Sequence, residues 1–121
     1  MKGNEDKKVK NVLYVDNNPV YRKIIELYFT DNLKLHIELS DGKSVSEKNE
    51  KYDLIILGNF EKEYYNNIKQ RNPQADIIVL GDRKVKDEAE ELGLPFYDRD
   101  TEKLRDLLDK IATEYKLKKI A

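Results

Sequence analysis

Short apolar runs mark where regular structure is expected along this chain. Three runs are apolar almost throughout and end at a small or polar residue: residues 12–15 (VLYV), 54–57 (LIIL) and 77–80 (IIVL). Continuous β-branched and aliphatic runs of this length are typical of strands buried on both faces, as in a parallel sheet. Residues 33–39 instead alternate apolar and polar positions, and residues 94–97 carry a proline that a central strand does not tolerate. We therefore predict five strands, with these last two at the sheet edges.

Apolar residues at helical spacing occupy the intervals between the strands. Asn18 is a suitable N-cap for the first helix, Pro19 suits its first position, and Gly93 suits a C-terminal stop for the fourth. The second helix is expected within residues 44–49, where only Val45 is apolar, so it is short or irregular. The other predicted helices cover residues 19–29, 61–71, 85–92 and a stretch that is capped by Asp100 or Thr101 and ends near Tyr115.

Strands that alternate with helices predict βαβ units and a mostly parallel sheet between helical layers. The expected fold class is therefore α/β, a three-layer αβα sandwich around a five-stranded parallel sheet. With right-handed crossovers and the second and fifth strands at the edges, the flavodoxin-like strand order 2-1-3-4-5 is the simplest arrangement. We expect residues 1–8 to form a polar tail and residues 9–121 a single domain.

Charge and composition narrow the classes of function. Charged residues make up 39% of the 121 residues, but 23 basic and 24 acidic residues nearly cancel to a net charge of -1. This balance argues against nucleic acid or an acidic membrane as partner, because such binders concentrate basic charge. Cysteine is absent, which excludes disulfides and thiolate metal sites, and the apolar runs are too short for a membrane span. We expect a cytoplasmic protein.

Candidate chemistry lies at the carboxyl ends of the strands, where open α/β sheets bind their ligands. The first strand ends at Asp16 and Asn17, and the third ends at Gly58. The fourth ends at Gly81 and Asp82. The fifth ends near Tyr97 and Asp98.

Three blocks of sequence resemble the receiver domain of bacterial two-component response regulators. They are VLYVDNNPVYRKIIELYF (12–29), YDLIILGNF (52–60) and ADIIVLGDR (75–83), and the resemblance extends from about Val9 to Tyr115. In working receivers an acidic pair after the first strand helps to hold Mg²⁺, and an aspartate that ends the third strand accepts the phosphoryl group. A threonine or serine ends the fourth strand, and a lysine follows the fifth. Such a set suits phosphoryl transfer, which relies on positioning and on charge neutralisation by metal and cation.

The resemblance implies that most of this set is missing here. Asp16 matches the first member of the acidic pair, but Asn17 stands at the second. Gly58 occupies the phosphoacceptor position and Gly81 the hydroxyl position. The lysine position falls on Tyr97 or on the following aspartate, neither of which is a cation. The resemblance therefore implies a degenerate receiver, or pseudo-receiver, that has lost aspartyl phosphorylation and is not an enzyme.

The residues that stand at or near the family's functional positions form a relic site: Asp16, Asn17, Gly58, Gly81, Asp82 and Asp98. Two explanations remain open for its carboxylates and its glycines. Asp16 is either a metal ligand or a polar residue that satisfies backbone amides, and one carboxylate beside an amide is a poor Mg²⁺ site. Asp82 and Asp98 either approach Asp16 to form a cation-binding cluster or are solvated loop residues. Gly58 and Gly81 either open a pocket for a small ligand or mark tight turns. We expect no cofactor.

Three functions compete. The leading hypothesis is a phosphorylation-independent signal-transduction domain that docks a protein partner or pairs weakly with itself. Family receivers commonly use the face formed by the fourth helix, fifth strand and fifth helix, which here comprises residues 84–91, Phe96, Tyr97 and Arg105. The alternatives are a small-molecule or cation sensor that uses the vacated pocket, and a receiver with a displaced acceptor such as Asp82.

Aromatic side chains add a further open point. Tyr64, Tyr65 and Tyr97 are either interface anchors or core residues. The helix predicted over residues 85–92 is charged and has few apolar residues, which favours a weak dimer or a transient partner over an obligate interface.

Overall fold

The computed structural model describes residues 11–35, 37–41, 52–60, 62–100 and 103–117. The predicted polar tail and the predicted helix within residues 44–49 lie outside these ranges. The strands are β1 (Val12–Val15), β2 (Ile37–Ser40), β3 (Leu54–Leu57), β4 (Asp76–Gly81) and β5 (Phe96–Asp98). The helices are α1 (Pro19–Leu27), α2 (Lys62–Arg71), α3 (Lys86–Leu92) and α4 (Leu104–Glu114), with a π-helical segment at Tyr28–Asn32 and a 3-10 turn at Arg83–Val85.

The five strands form one parallel sheet in the order β2-β1-β3-β4-β5, which confirms the predicted topology. Every residue of β1 and β3 is buried, as expected for runs of apolar residues in the sheet centre. The three residues of β5 are only partly buried, in keeping with an edge strand.

Alternate residues of each strand face opposite helical layers, so the core has two halves. Val12 and Tyr14 of β1 belong to the half that is covered by α1 and α4. Leu13 and Val15 belong to the half that is covered by α2 and α3. The result is the predicted three-layer sandwich. Within the described residues, no helix is long and apolar enough to cross a bilayer.

The start of α1 follows the prediction, but its end and the next strand do not. The Asn18 side chain caps the helix by accepting from the Val20 backbone N–H, and Pro19 is the first helical residue. After Leu27 the chain continues as the π-helical segment instead of leaving the helix. Lys34 then adopts a left-handed conformation with φ of 53°, so residues 33–35 lie outside the strand and β2 is Ile37–Ser40.

The end of α3 agrees with the prediction, but the start of α4 does not. Gly93 closes α3 in the left-handed region at φ of 71°, as predicted. The sequence predicts Asp100 or Thr101 as the cap of the last helix, but α4 begins at Leu104 with Lys103 as N-cap and no side-chain capping bond, and Thr101 lies outside the described residues. The Asp100 carboxylate instead accepts a 3.1 Å hydrogen bond from the Arg83 backbone N–H. Asp100 therefore ties the turn after β5 to the turn after β4.

Candidate functional site

The carboxyl end of β1 carries a carboxylate that is fully buried. Asp16 follows the last residue of β1, and its side chain is 0% exposed. One side-chain oxygen, Oδ2, accepts hydrogen bonds from the Tyr14 hydroxyl at 2.6 Å and from Arg99 Nη1 at 3.0 Å. The other oxygen, Oδ1, accepts from the Asn18 backbone N–H at 2.9 Å. Both oxygens are thus satisfied within the chain, as a buried carboxylate requires.

Arg99 supplies the positive charge for this carboxylate. It directly follows β5, and only 3% of its side chain is exposed. Its guanidinium carbon lies 3.7 Å from the centroid of the Tyr21 ring on α1, a cation–π geometry. The Arg99 backbone N–H also donates to the Gly81 carbonyl at 3.0 Å, which fixes the chain that carries the side chain. Asp16 and Arg99 therefore form a buried ion pair across the strand ends.

The ion pair changes the acid–base properties of the groups around it. Burial, together with the charge and the hydrogen bond of Asp16, raises the pKa of Tyr14 well above its ordinary value of 10.0. Burial acts to lower the pKa of Arg99, but the hydrogen bond to Asp16 and the charges of Tyr14, Asp16 and Tyr21 together outweigh it, so the pKa lies above its ordinary value. Tyr14 thus stays a neutral donor and Arg99 stays a cation.

A second arginine fastens the backbone of the same residue. Arg22 of α1 donates from Nη1 to the Asp16 carbonyl at 2.7 Å. The residue therefore contacts α1 twice, through this bond and through the Asn18 backbone N–H. Helix α1 is in this way docked on the end of β1.

Gly58, at the end of β3, leaves no room for a side chain. A Cβ atom at this position would lie 2.7 Å from the Tyr14 hydroxyl oxygen and 2.8 Å from Asp16 Cγ, and still closer to Asp16 Oδ2. Real Cβ atoms essentially never approach other heavy atoms so closely, so any larger residue would displace the network. Gly58 thus marks a close approach to the ion pair.

Gly81, at the end of β4, is enclosed as well. A Cβ atom there would lie 2.5 Å from Val85 Cγ2 and 3.4 Å from the Gly58 carbonyl oxygen. Gly58 and Gly81 are therefore both points of close packing, an explanation that the sequence did not suggest.

The structure does not bring the other candidate carboxylates to Asp16. Asp82 caps the 3-10 turn by accepting from the Lys84 backbone N–H at 3.0 Å. Asp98 lies 3.5 Å from Arg83 Nε and accepts from the Asp100 backbone N–H at 2.8 Å. Within the described ranges, no three His, Cys, Asp or Glu side chains are grouped so that they would hold a metal ion.

The donor set at the strand ends does not fit Mg²⁺. Mg²⁺ requires several hard oxygen ligands in octahedral geometry. Both oxygens of Asp16 are occupied by donors, and a cation already lies beside one of them. Asn17 is exposed and Gly58 has no side chain. Asp16, the weak metal ligand among the predicted residues, is instead hydrogen-bonded within the chain through both side-chain oxygens.

Arg99 is the residue that the sequence analysis missed. The resemblance places the lysine position on Tyr97 or Asp98, neither of which is a cation, whereas the buried cation of this site is Arg99, the next residue along the chain. Asp98, Arg99 and Asp100 form a charged stretch after a short strand, and such a stretch is usually solvated. A basic residue directly after the fifth strand was the available signal, because strand ends converge at the site.

The predicted interface residues have different positions. Phe96 and Tyr97 are partly buried and pack against opposite halves of the core, and the Tyr97 hydroxyl donates to Glu114 at 3.1 Å. Tyr64 and Tyr65 are likewise partly buried against the core. Arg105 is exposed on α4, at the rim of a groove between α4 and α1. Arg105 therefore borders α1 as well as the predicted face.

Comparison with known proteins identifies the fold. No protein-family model and no curated protein matches the chain. Among solved structures, an adenylate cyclase from Rhodopirellula baltica is similar over 90% of this chain and 89% of its own, with TM-score 0.68 and 14% identity. The BeF3-activated receiver domain of DrrB is similar over 87% and 96%, with TM-score 0.67 and 16% identity. The receiver domain of NtrC4 from Aquifex aeolicus covers 88% and 98%, with TM-score 0.56 and 21% identity. The chain therefore has a receiver-like, flavodoxin-like fold.

Substitution of Arg99 tests the ion pair. Arg99→Ala leaves the buried Asp16 carboxylate without its cation, so we expect the free energy of unfolding to fall by about 3–5 kcal/mol in urea titrations. Arg99→Lys keeps the charge and should lose less. The control is Arg83→Ala, because Arg83 is 72% exposed and makes a surface contact with Asp98; we expect a loss of at most about 1 kcal/mol there. Equal losses for Arg99→Ala and Arg83→Ala would contradict the buried pair.

Alkaline pH tests the environment of Tyr14. The pKa of Tyr14 is raised in the folded chain, whereas in the unfolded chain it is about 10. Above this pH the unfolded state loses a proton that the folded state keeps, so the free energy of unfolding falls as pH rises. Tyr14→Phe removes this contribution, and the fall should be less steep than in the wild type, where Tyr28, Tyr97 and Tyr115 also contribute. Identical slopes above pH 10, measured by urea unfolding at each pH, would show that the Tyr14 environment is not as described.

Proposed function

We propose that this chain is a receiver-like signal-transduction domain that acts without aspartyl phosphorylation, as a protein-interaction module. The similarity to receiver domains over nearly the whole chain supports the signalling fold. The closed network at the strand ends supports the loss of phosphorylation. The observation that carries the proposal is the position of Gly58.

The end of β3 is where the resemblance places the phosphoacceptor. The backbone there lies so close to Tyr14 and Asp16 that even a Cβ atom would overlap them. An aspartate at this position would need the whole network to move. Sequence and packing thus agree, because Gly58 has no carboxylate and its neighbours fill the space that a carboxylate would take.

The charge distribution supports the same conclusion. Phosphoryl transfer to an aspartate requires a metal ion and a cation that neutralise the transferred group. Here the Arg99 guanidinium is already engaged by Asp16 at 3.0 Å and covered by the Tyr21 ring. Any phosphoryl group would have to displace Asp16 from Arg99. The network therefore stabilises one state of the strand ends, and no phosphorylated state competes with it.

The remaining task for such a domain is to bind another protein. The face of residues 84–91, Phe96, Tyr97 and Arg105 stays the predicted contact for a partner. Its two aromatic residues, Phe96 and Tyr97 of β5, are partly buried. The outer surface of α3 is mainly charged, because Lys86, Asp87 and Glu90 are exposed there. A charged surface of this kind suits a transient partner rather than an obligate one.

The alternative of a sensor in the vacated pocket has less support. A ligand or cation there would compete with Tyr14, Asp16 and Arg99 for the same small volume. The three side chains satisfy one another, so a bound ligand would have to replace charge-assisted hydrogen bonds that the protein already makes.

Exposure to a phosphodonor tests the proposal. We expect that incubation with Mg²⁺ and acetyl phosphate leaves the intact mass of the wild-type protein unchanged, under conditions in which a working receiver gains one phosphoryl group. Gly58→Asp should also remain unmodified and be less stable than the wild type, because its side chain overlaps the Tyr14–Asp16–Arg99 network. Urea titration measures that loss of stability.

Two results would contradict the proposal. One is a hydroxylamine-sensitive adduct on the wild-type protein that is lost in Asp82→Asn, since it would identify Asp82 as a displaced acceptor. The other is efficient phosphorylation of Gly58→Asp without loss of stability, since it would show that the position is open. Asp87→Asn is the matched control for Asp82→Asn, because both are aspartates near the start of α3 and Asp87 is exposed.

A further inference from the structure

Helix α1 presents an apolar stripe to solvent. Among the described residues, the large hydrophobic side chains that are exposed are Val20 (63%), Ile24 (41%) and Leu27 (46%). They are spaced four and three residues apart, so they lie on one face of the helix. The opposite side of α1 packs Ile25 into the core. The stripe is therefore a second apolar face that is exposed among the residues the structure describes.

The stripe borders an apolar groove. The groove has a volume of about 310 Å³ and runs between α1 and α4. Ile24, Leu27 and Tyr28 form one wall, and Leu104 and Leu108 form the other. A contiguous apolar patch of this kind marks an interaction site more often than scattered exposed residues do.

The rim of the groove carries one charge of each sign. Asp31 and Arg105 both line it, and within the described residues neither forms an ion pair with another side chain. A two-fold axis that lies in the interface and bisects the line between them would place Arg105 of each copy opposite Asp31 of the other. The patch is thus complementary to itself, which is the requirement for a symmetric dimer.

We propose that two copies of this chain associate through the α1 stripe and the groove between α1 and α4, with Arg105 and Asp31 paired across a two-fold axis. This dimer rests on the proposed function and gives it a surface and a partner. The dimer surface is additional to the predicted partner face, and Arg105 lies at the border of both.

The size of the patch sets the strength of the dimer. The eight residues that line the groove, together with Val20, make nine on each copy. A standard-size interface has roughly 20–30 residues on each side. The dimer is therefore weak, and it forms at high protein concentration.

Sedimentation equilibrium over a wide range of protein concentration tests this dimer. The wild-type chain should shift from monomer to dimer as concentration rises. Ile24→Glu places a charge in the stripe and should abolish the shift without loss of stability, because Ile24 is 41% exposed. The matched control is Glu63→Lys, which changes an exposed residue of α2 away from the patch and should leave the dimer intact.

Charge reversal separates this dimer from any other. Asp31→Arg and Arg105→Asp should each weaken dimerisation, because each places like charges opposite one another. The double variant should recover dimerisation, because the pair is restored with opposite polarity. A different apolar partner would not produce this recovery, since the pairing depends on two copies that carry both changes.

Three results would overturn the dimer: a monomer at every concentration, a dimer unchanged by Ile24→Glu, or a double variant as weak as the single ones. None of these would touch the loss of phosphorylation, which the phosphodonor experiment tests by mass. Conversely, a labile phosphoryl adduct would overturn the proposed function and leave the dimer standing.

Discussion

The buried ion pair between Asp16 and Arg99 organises the end of the sheet where ligands of this fold bind. The two residues are far apart in sequence and follow strands that are not neighbours, since β3 and β4 lie between β1 and β5. Two buried charges are tolerated only when their geometry and hydrogen bonds offset the loss of water. Tyr14, Asn18 and the Tyr21 ring meet that condition, because Tyr14 contacts both members of the pair, Asn18 contacts Asp16, and the Tyr21 ring contacts Arg99. Helix α1 is thereby fixed to both strand ends.

This pair also explains the glycine at the end of β3. Tyr14 and Asp16 reach toward β3 and occupy the space beside Gly58, while Gly81 accepts the Arg99 backbone N–H and packs against Val85. The strand ends therefore carry charged and hydrogen-bonding groups, as a reactive site does, but these groups bind one another. The α1 stripe and the groove are a separate, apolar surface of the same fold.

The fold could be predicted from the sequence because strands that are buried on both faces consist of continuous apolar residues. Continuous apolar runs at β1, β3 and β4 and the less apolar edge strands are enough to set the strand order. The sequence-based prediction failed at two residues. Lys34 lies in a pattern that alternates as in a strand, but its backbone is left-handed. Arg99 lies in a charged stretch, but its side chain is buried. The pattern of residue types predicts the usual exposure of an arginine. Arg99 is buried because it pairs with one specific carboxylate, that of Asp16, which is distant in the sequence.

The central claim is that Arg99 balances the charge of the Asp16 carboxylate, so that this carboxylate does not bind metal ions. It is tested most directly by titrating Mg²⁺ into the protein and following backbone amide shifts by NMR, with sodium chloride at equal ionic strength as control. The account predicts that the amides of Asp16, Gly58 and Gly81 keep their positions at millimolar Mg²⁺. Saturable shifts at these three amides, absent with sodium, would contradict it.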